Sequence, residues 1–261
     1  MKILRCMTTA VVLLASVIVV CAQEPYSGLR PTGPTTLLIA YRCKPENRVA
    51  LREHMLSVGL ANFEKWKKQG ILSEYRILWK SYLDSETYDM LFLLTFNNYS
   101  DVARWNEIEK VTPGGLSEDG LKLVTSAISY SMDSVRQEAS SQKPVRGKSV
   151  FFIIPYEYLN KTDDYVNYLD NYFIPQADAW LKKDVLAAYT IYLMRYSTSR
   201  PWHSLYVLEY RDHNAFGMRE PTMTEVRASL QSNPAWKALS EVKHKVRIEK
   251  ETIITEELLL P

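Results

Sequence analysis

The chain has 261 residues, with 32 Lys and Arg set against 30 Asp and Glu, and 46% of it is hydrophobic. So even a balance leaves no basic surplus to hold phosphate backbones or an anionic membrane surface, which argues against a nucleic-acid role. Three cysteines cannot staple a chain of this length, so the fold must be held by its core.

Lys2 and Arg5 precede a charge-free apolar and small-residue run from Met7 to Val20, followed by Cys21 and Ala22. A run of roughly 14 residues is short for a bilayer span and suits an export signal. The pattern predicts a signal peptide over 1–22, cleaved after Ala22, and a periplasmic or extracellular mature protein. An uncleaved membrane anchor is the rival, but Glu24 and Pro25 end the run early. A lipid on Cys21 is disfavoured by the bulky Ile18, Val19 and Val20. Cleavage removes Lys2, Arg5, Cys6 and Cys21, leaving a formally neutral chain without a membrane segment. Cys43 remains as a single thiol, read as a small buried hydrophobe.

Residues 23–35, with Pro25, Gly28, Pro31, Gly33 and Pro34, read as a flexible leader. Beyond them the sequence repeats itself. FEKWKKQGILSEYRILWKSY around Trp66 matches ADAWLKKDVLAAYTIYLMRY around Trp180, an offset of 114. Extended without a gap, it pairs Ile39 with Ile153, Leu72 with Leu186, Tyr75 with Tyr189, Leu91 with Leu205 and Leu94 with Leu208. Two repeats follow, over 36–136 and 149–261, joined by a linker over 137–148.

Each repeat opens on a strand rich in branched and aromatic residues, TTLLIAYRC and SVFFIIPY. A helix follows, over 46–69 and 162–183, the second with Thr162 as its N-cap and Pro175 expected to kink it. Gly70 and Asp184 stand where a left-handed residue ends a helix, glycine freely and aspartate at some strain. Two strands then form a hairpin, over 74–82 and 89–96 in one repeat and 188–196 and 204–210 in the other. Their turns, LDSETY and STSRPW, read as short and polar. Glu74, Arg76, Lys80 and Tyr82 share one strand face, which reads as a wet cleft or an exposed surface. Asn233 to Trp236 opens a second helix and 246–254 is a last strand. The first repeat's counterpart strand is placed at 126–133.

The order βαββαβ, twice, is an α+β, ferredoxin-like arrangement whose open sheet faces would pack on each other. The chain resembles the dimeric α/β-barrel superfamily, in the company of NIPSNAP-like, EthD-like and antibiotic-biosynthesis monooxygenase-like proteins. That likeness rests on the element order, on the Trp-x-Lys…Leu-x-x-Tyr junction of each repeat and on the NPAWKAL helix start. It implies two repeats packed sheet to sheet as an intramolecular barrel, and leaves function open because the superfamily hosts enzymes and binding modules alike.

No nucleotide, zinc-protease, P-loop or nucleophile-elbow motif occurs, and no cofactor or metal is expected. Haem-binding members of the superfamily use a helix-borne histidine, which the resemblance would carry over only to His54; packing is the better reading of that residue. His203 and Glu209 lie about 20 Å apart along a strand and cannot share an ion. The candidate pocket is aromatic: Tyr192, Tyr196 and Tyr206, with His203 or Arg195 as a polar handle, against the simpler reading of tyrosines packed between repeats. Three functions follow: a non-catalytic protein binding a small apolar or aromatic molecule or a partner; a cofactor-independent monooxygenase acting on an aromatic substrate; and a purely structural protein, which would have no cavity between its repeats. Asn98 and Asn160 satisfy a glycosylation pattern. Nothing in the sequence fixes the oligomeric state.

Overall fold

The computed structural model describes residues 34–142 and 147–260, so the signal peptide, most of the leader and part of the linker lie outside the described residues. Strand β1 (Thr35–Cys43) leads into helix α1 (Arg48–His54), a π-helical turn (Met55–Gly59) and helix α2 (Leu60–Lys68). Later in the chain β5 (Val150–Tyr158) leads into α5 (Thr162–Tyr168), a π-helical turn (Leu169–Phe173) and α6 (Ile174–Lys182). The two helical stretches coincide residue for residue at the offset of 114, wide turn included. Pro175 therefore does not cause the irregularity, because Ala61 stands at its place in the first stretch. It sits at the start of α6, just beyond the π-turn, where a missing N–H is tolerated. Gly70 and Asp184 end the two stretches with φ of 65° and 55°. Thr162 is not the N-cap: Lys161 occupies that position, and the Thr162 hydroxyl lies 3.2 Å from that of Tyr158.

The first half continues with β2 (Glu74–Lys80), β3 (Met90–Phe96), α3 (Tyr99–Glu109), α4 (Glu118–Leu123) and β4 (Val124–Ala139). Asn98 and Ser117 cap α3 and α4 by accepting the Asp101 and Gly120 N–H groups. The second half continues with β6 (Leu186–Met194), β7 (Ser204–Tyr210), α7 (His213–Gly217), α8 (Arg219–Leu230) and α9 (Pro234–Val246). It ends on β8 (Arg247–Glu249) and β9 (Ile253–Glu257), so the expected last strand is broken at 250–252. Strand β4 is twice the expected length and runs into the residues assigned to the linker. Among the described residues no helix is long and apolar enough to cross a membrane.

The strands form one antiparallel sheet in the order β7-β6-β4-β1-β3-β2-β9-β5-β8, and β5 also pairs with β7. That last pairing returns the sheet to its start, so eight strands close a ring, with β8 alongside one end of β5. The ring is laced across the halves: β4 joins β1 to β6, and β9 joins β5 to β2. Thr35 lies opposite Phe96 and Val150 opposite Tyr210, so the first strands correspond at an offset of 115, not 114. The ungapped pairing of Ile39 with Ile153 is thus one residue out of step. Since a one-residue slip exchanges sheet faces, Ile39 faces the helices while Ile153 faces the interior.

Alternation sorts the strands into three cores. Ile39, Tyr41, Ile77, Phe92 and Leu94 pack outward on α1, α2 and α3 around Phe63, Trp66 and Trp105. Tyr156, Tyr189, Ile191, Tyr206 and Leu208 do the same in the second half around Tyr165, Tyr168, Tyr172, Phe173 and Trp236. Between them Leu38, Leu78, Leu91, Leu93, Phe151, Ile153, Leu205 and Val207 point into the ring. Burying each large side chain contributes about 1.5–3 kcal/mol, which makes these cores the main source of stability.

Candidate functional site

The interior of the ring is filled at one end and open at the other. At the filled end Arg76 on β2 reaches inward to Glu209 on β7 at 3.1 Å, and Glu209 also accepts the Ser149 hydroxyl. The strand face expected to be wet is therefore partly spent: Arg76 closes the ring, and Lys80 is buried on Asp84 and Thr87. Only Glu74 and Tyr82 on that list are exposed.

Towards the other end lies a cavity of about 580 Å³, within the range of small-molecule sites. Its lower wall is apolar: Leu38, Ala40, Leu91, Ile153, Pro155, Leu205 and Ile253. The β2–β3 turn supplies Glu86 and Tyr88 to its mouth, and the β6–β7 turn supplies Arg200 and Trp202. The two turns match at the offset of 114, so Tyr88 corresponds to Trp202 and Glu86 to Arg200. In the strands Leu38 corresponds to Ile153, Ala40 to Pro155 and Leu91 to Leu205. Tyr130, opposite Leu38, corresponds to Ile253, opposite Ile153.

The wall between the turns is aromatic. The Tyr130 and Trp202 rings are 4.4 Å apart, and the Arg200 guanidinium sits 5.2 Å over the Tyr130 ring. Burial, and then the neighbouring Tyr88 hydroxyl, hold the Tyr130 phenol well above its usual range, so it stays protonated. At the rim Lys250 pairs with Glu157 at 2.5 Å, which keeps that carboxyl below its usual range, while Glu249 accepts the Tyr156 hydroxyl and lies near Arg247.

The five residues singled out from sequence do not converge on this cavity. Tyr192 packs against the inner cluster, but towards Arg76 and the filled end. Tyr206 points to the helices, where its hydroxyl bonds that of Tyr165 at 2.9 Å. Tyr196 lies past the end of β6 and is 68% exposed. Arg195 is held on the outer face by Asp133, Thr35 and Tyr99. His203 packs edge-on to Tyr158 outside the lining, 4.9 Å between ring centres, and burial lowers its pKa. The lining residues that sequence reasoning missed, Glu86, Tyr88, Tyr130, Arg200 and Trp202, include four from the turns read as merely polar. The 114-residue repeat of an aromatic at 88 and 202 was the available signal.

Among the described residues no histidine, cysteine or methionine lines the cavity. His54 does not suit haem, because its Nε2 is 2.9 Å from the Ser117 hydroxyl and Gly120 packs against its ring. Cys43 is half-buried beside Asp89, and its thiol is pushed up to about 12 chiefly by burial. Among the described residues no group of three or more His, Cys, Asp and Glu could hold a metal ion.

No protein-family model matches the sequence, and no curated protein matches it. Solved structures do match in shape. A candidate monooxygenase from Fusobacterium nucleatum is 10% identical with a TM-score of 0.54, over 87% of this chain and 94% of that one. An anthrone oxidase-like protein is 12% identical, also with a TM-score of 0.54, over 86% and 91%. A heme-binding protein from Thermus thermophilus is 13% identical with a TM-score of 0.51, over 88% and 94%. This chain shares with them an α+β, ferredoxin-like α/β-barrel fold. At such identities the likeness speaks for the fold alone.

Proposed function

We propose that this chain is an exported small-molecule-binding protein, a tandem duplication folded as an intramolecular α/β barrel, and that its cavity takes an apolar or aromatic ligand. The repeated helix–π-turn–helix and the lacing of β4 and β9 across the halves support the duplication. The observation that carries the binding reading is the cavity of about 580 Å³, with an apolar floor and a mouth built by equivalent turns of both halves. A purely structural barrel would have no use for that space.

Oxygenase action on an aromatic substrate is the second reading, favoured by what two of the neighbours are named for. It requires a proton-accepting group beside the bound ring. His203 and Tyr206 do not meet in the cavity, and Glu157 at the rim is already paired with Lys250. The other lining carboxylates, Glu86, Glu249 and Glu251, are exposed at the mouth and not among the apolar residues where a ring would lie. Binding without turnover is therefore the better reading of the geometry.

The test is native mass spectrometry of the protein recovered from its own compartment, followed by titration of the apo protein and of Trp202→Phe with 2-naphthalenemethanol while tryptophan fluorescence is read. A bound organic mass, or saturable quenching that Trp202→Phe abolishes, supports binding. Clean apo mass together with no quenching refutes it. Oxygen uptake with a bound aromatic would move the oxygenase ahead.

A further inference from the structure

The cavity is divided by polarity, with hydrocarbon at depth and charge at the mouth. Four carboxylates line it, Glu86, Glu157, Glu249 and Glu251, against two cations, Arg200 and Lys250. Lys250 is neutralised by Glu157, and Glu249 has Tyr156 and Arg247. Glu86 and Glu251 remain without a cationic partner among the described residues, as does Arg200 without a carboxylate. Glu86, Glu249 and Glu251 continue into the adjoining surface groove, which they share with Lys250 and with Asp84, itself paired with Lys80. A mouth of one predominant sign concentrates ligands of the other.

The aromatic wall favours the same partner. The faces of aromatic rings are electron-rich, tryptophan most of all, and attract cations lying over them. Two rings of this wall already hold cations of the protein: Arg200 lies over Tyr130, and Arg42 lies 5.2 Å over Tyr88. Neither arrangement favours an anion; the cations without a carboxylate partner are Arg200 in the lining and Arg42 just outside it, where its guanidinium donates to the Glu86 backbone carbonyl.

We infer that the ligand is an organic cation, a protonated amine or quaternary ammonium on an apolar body. The body lies among Leu38, Leu91, Ile153, Leu205 and Ile253, and the cationic head rests at the mouth between Trp202 and the Glu86 and Glu251 carboxylates. Arg200 opposes the head and limits its affinity. This deepens the binding reading above and rests on it.

Three probes of one shape decide the matter: 2-naphthylmethylammonium, 2-naphthalenemethanol and 2-naphthoate, titrated into the full-length mature protein by calorimetry at low and high salt. The ammonium should bind about tenfold more tightly than the alcohol, with the advantage shrinking in salt, and the carboxylate most weakly. Glu86→Gln and Glu251→Gln should each weaken the ammonium severalfold and leave the alcohol unchanged. Arg200→Gln should tighten the ammonium severalfold. All three residues are exposed, so an unchanged thermal melt confirms that the variants fold. Equal binding of ammonium and alcohol, a preference for naphthoate, or weaker ammonium binding by Arg200→Gln overturns this inference while leaving the binding reading intact. Failure of all three probes overturns both.

Discussion

Gly70 and Asp184 hold equivalent left-handed positions at the ends of α2 and α6, and exchanging their chemistry tests why they differ. In Gly70→Ala the new methyl meets nothing within 4 Å, so the cost is conformational alone. A left-handed L-residue costs about 1–2 kcal/mol, offset by about 0.4–1 kcal/mol because the unfolded chain loses freedom, for a net loss of about 1 kcal/mol. Asp184→Gly removes strain of similar size, and the backbone terms nearly cancel. What it also removes is a carboxylate held by Ser140 at 3.2 Å, Gln142 at 3.1 Å and Arg211 at 3.3 Å. Exposed contacts of this kind contribute about 0.2–1 kcal/mol each. Asp184→Gly should therefore also destabilise, by about 1 kcal/mol, despite relieving strain. Urea denaturation followed by circular dichroism measures both. A gain of about 0.5 kcal/mol or more in Asp184→Gly would refute the reasoning, since the carboxylate would then have no anchoring role.

Ala40 is fully buried and lines the cavity, so Ala40→Phe should fold, fill part of the space and abolish 2-naphthalenemethanol binding in the fluorescence titration. Tyr206→Phe removes one partner of the buried Tyr165 hydroxyl, which keeps Ser204 beside it, and should cost about 1 kcal/mol, read as a fall of a few degrees in the thermal midpoint. Burial depresses the His203 pKa, so the unfolded chain binds that proton more readily. Its share of stability is complete above the unfolded value of about 6.5 and is lost as pH falls towards the folded value. His203→Gln should flatten the fall of the urea midpoint below about pH 6.5, and an unchanged slope would count against it. With its thiol pushed up to about 12, Cys43 should alkylate with iodoacetamide at pH 8 at least about tenfold more slowly than glutathione, and faster in Asp89→Asn.

The order of elements could be read from sequence wherever one periodic face meets one core. Of the helically spaced Leu51, Met55, Val58, Phe63 and Trp66, four face one cluster, while Val58, inside the π-turn that widens the helix, is 43% exposed. The slip between β1 and β5 was hidden because both strands are nearly continuous apolar runs, buried on two faces, so their alternation carries no phase. The missing residue falls in the short connections before α1 and α5, where neither sequence resembles the other. Of strand β4 only the stretch over 126–133 was legible, where Ile128, Tyr130 and Met132 alternate; its extension through Ser134, Arg136, Gln137 and Glu138 is polar, and the pairing with β6 supplies what that composition does not. The site was misplaced because tyrosines were sought on strands, where alternation gives them faces. Its aromatic and charged residues instead come largely from connections, Glu86, Tyr88, Arg200 and Trp202 from the two hairpin turns and Lys250 and Glu251 from the β8–β9 break, whose positions depend on how the ring closes.

The correspondence of Glu86 with Arg200, and of Tyr130 with Ile253, has a consequence for what such a cavity can distinguish. Were the two halves identical separate chains, the space between them would look the same from either side, and a ligand could enter in two equivalent orientations. On a single chain the matched positions are free to differ, and here they differ in charge and in ring against aliphatic. The pocket thus has a handedness end to end, so that one molecule can be held one way round.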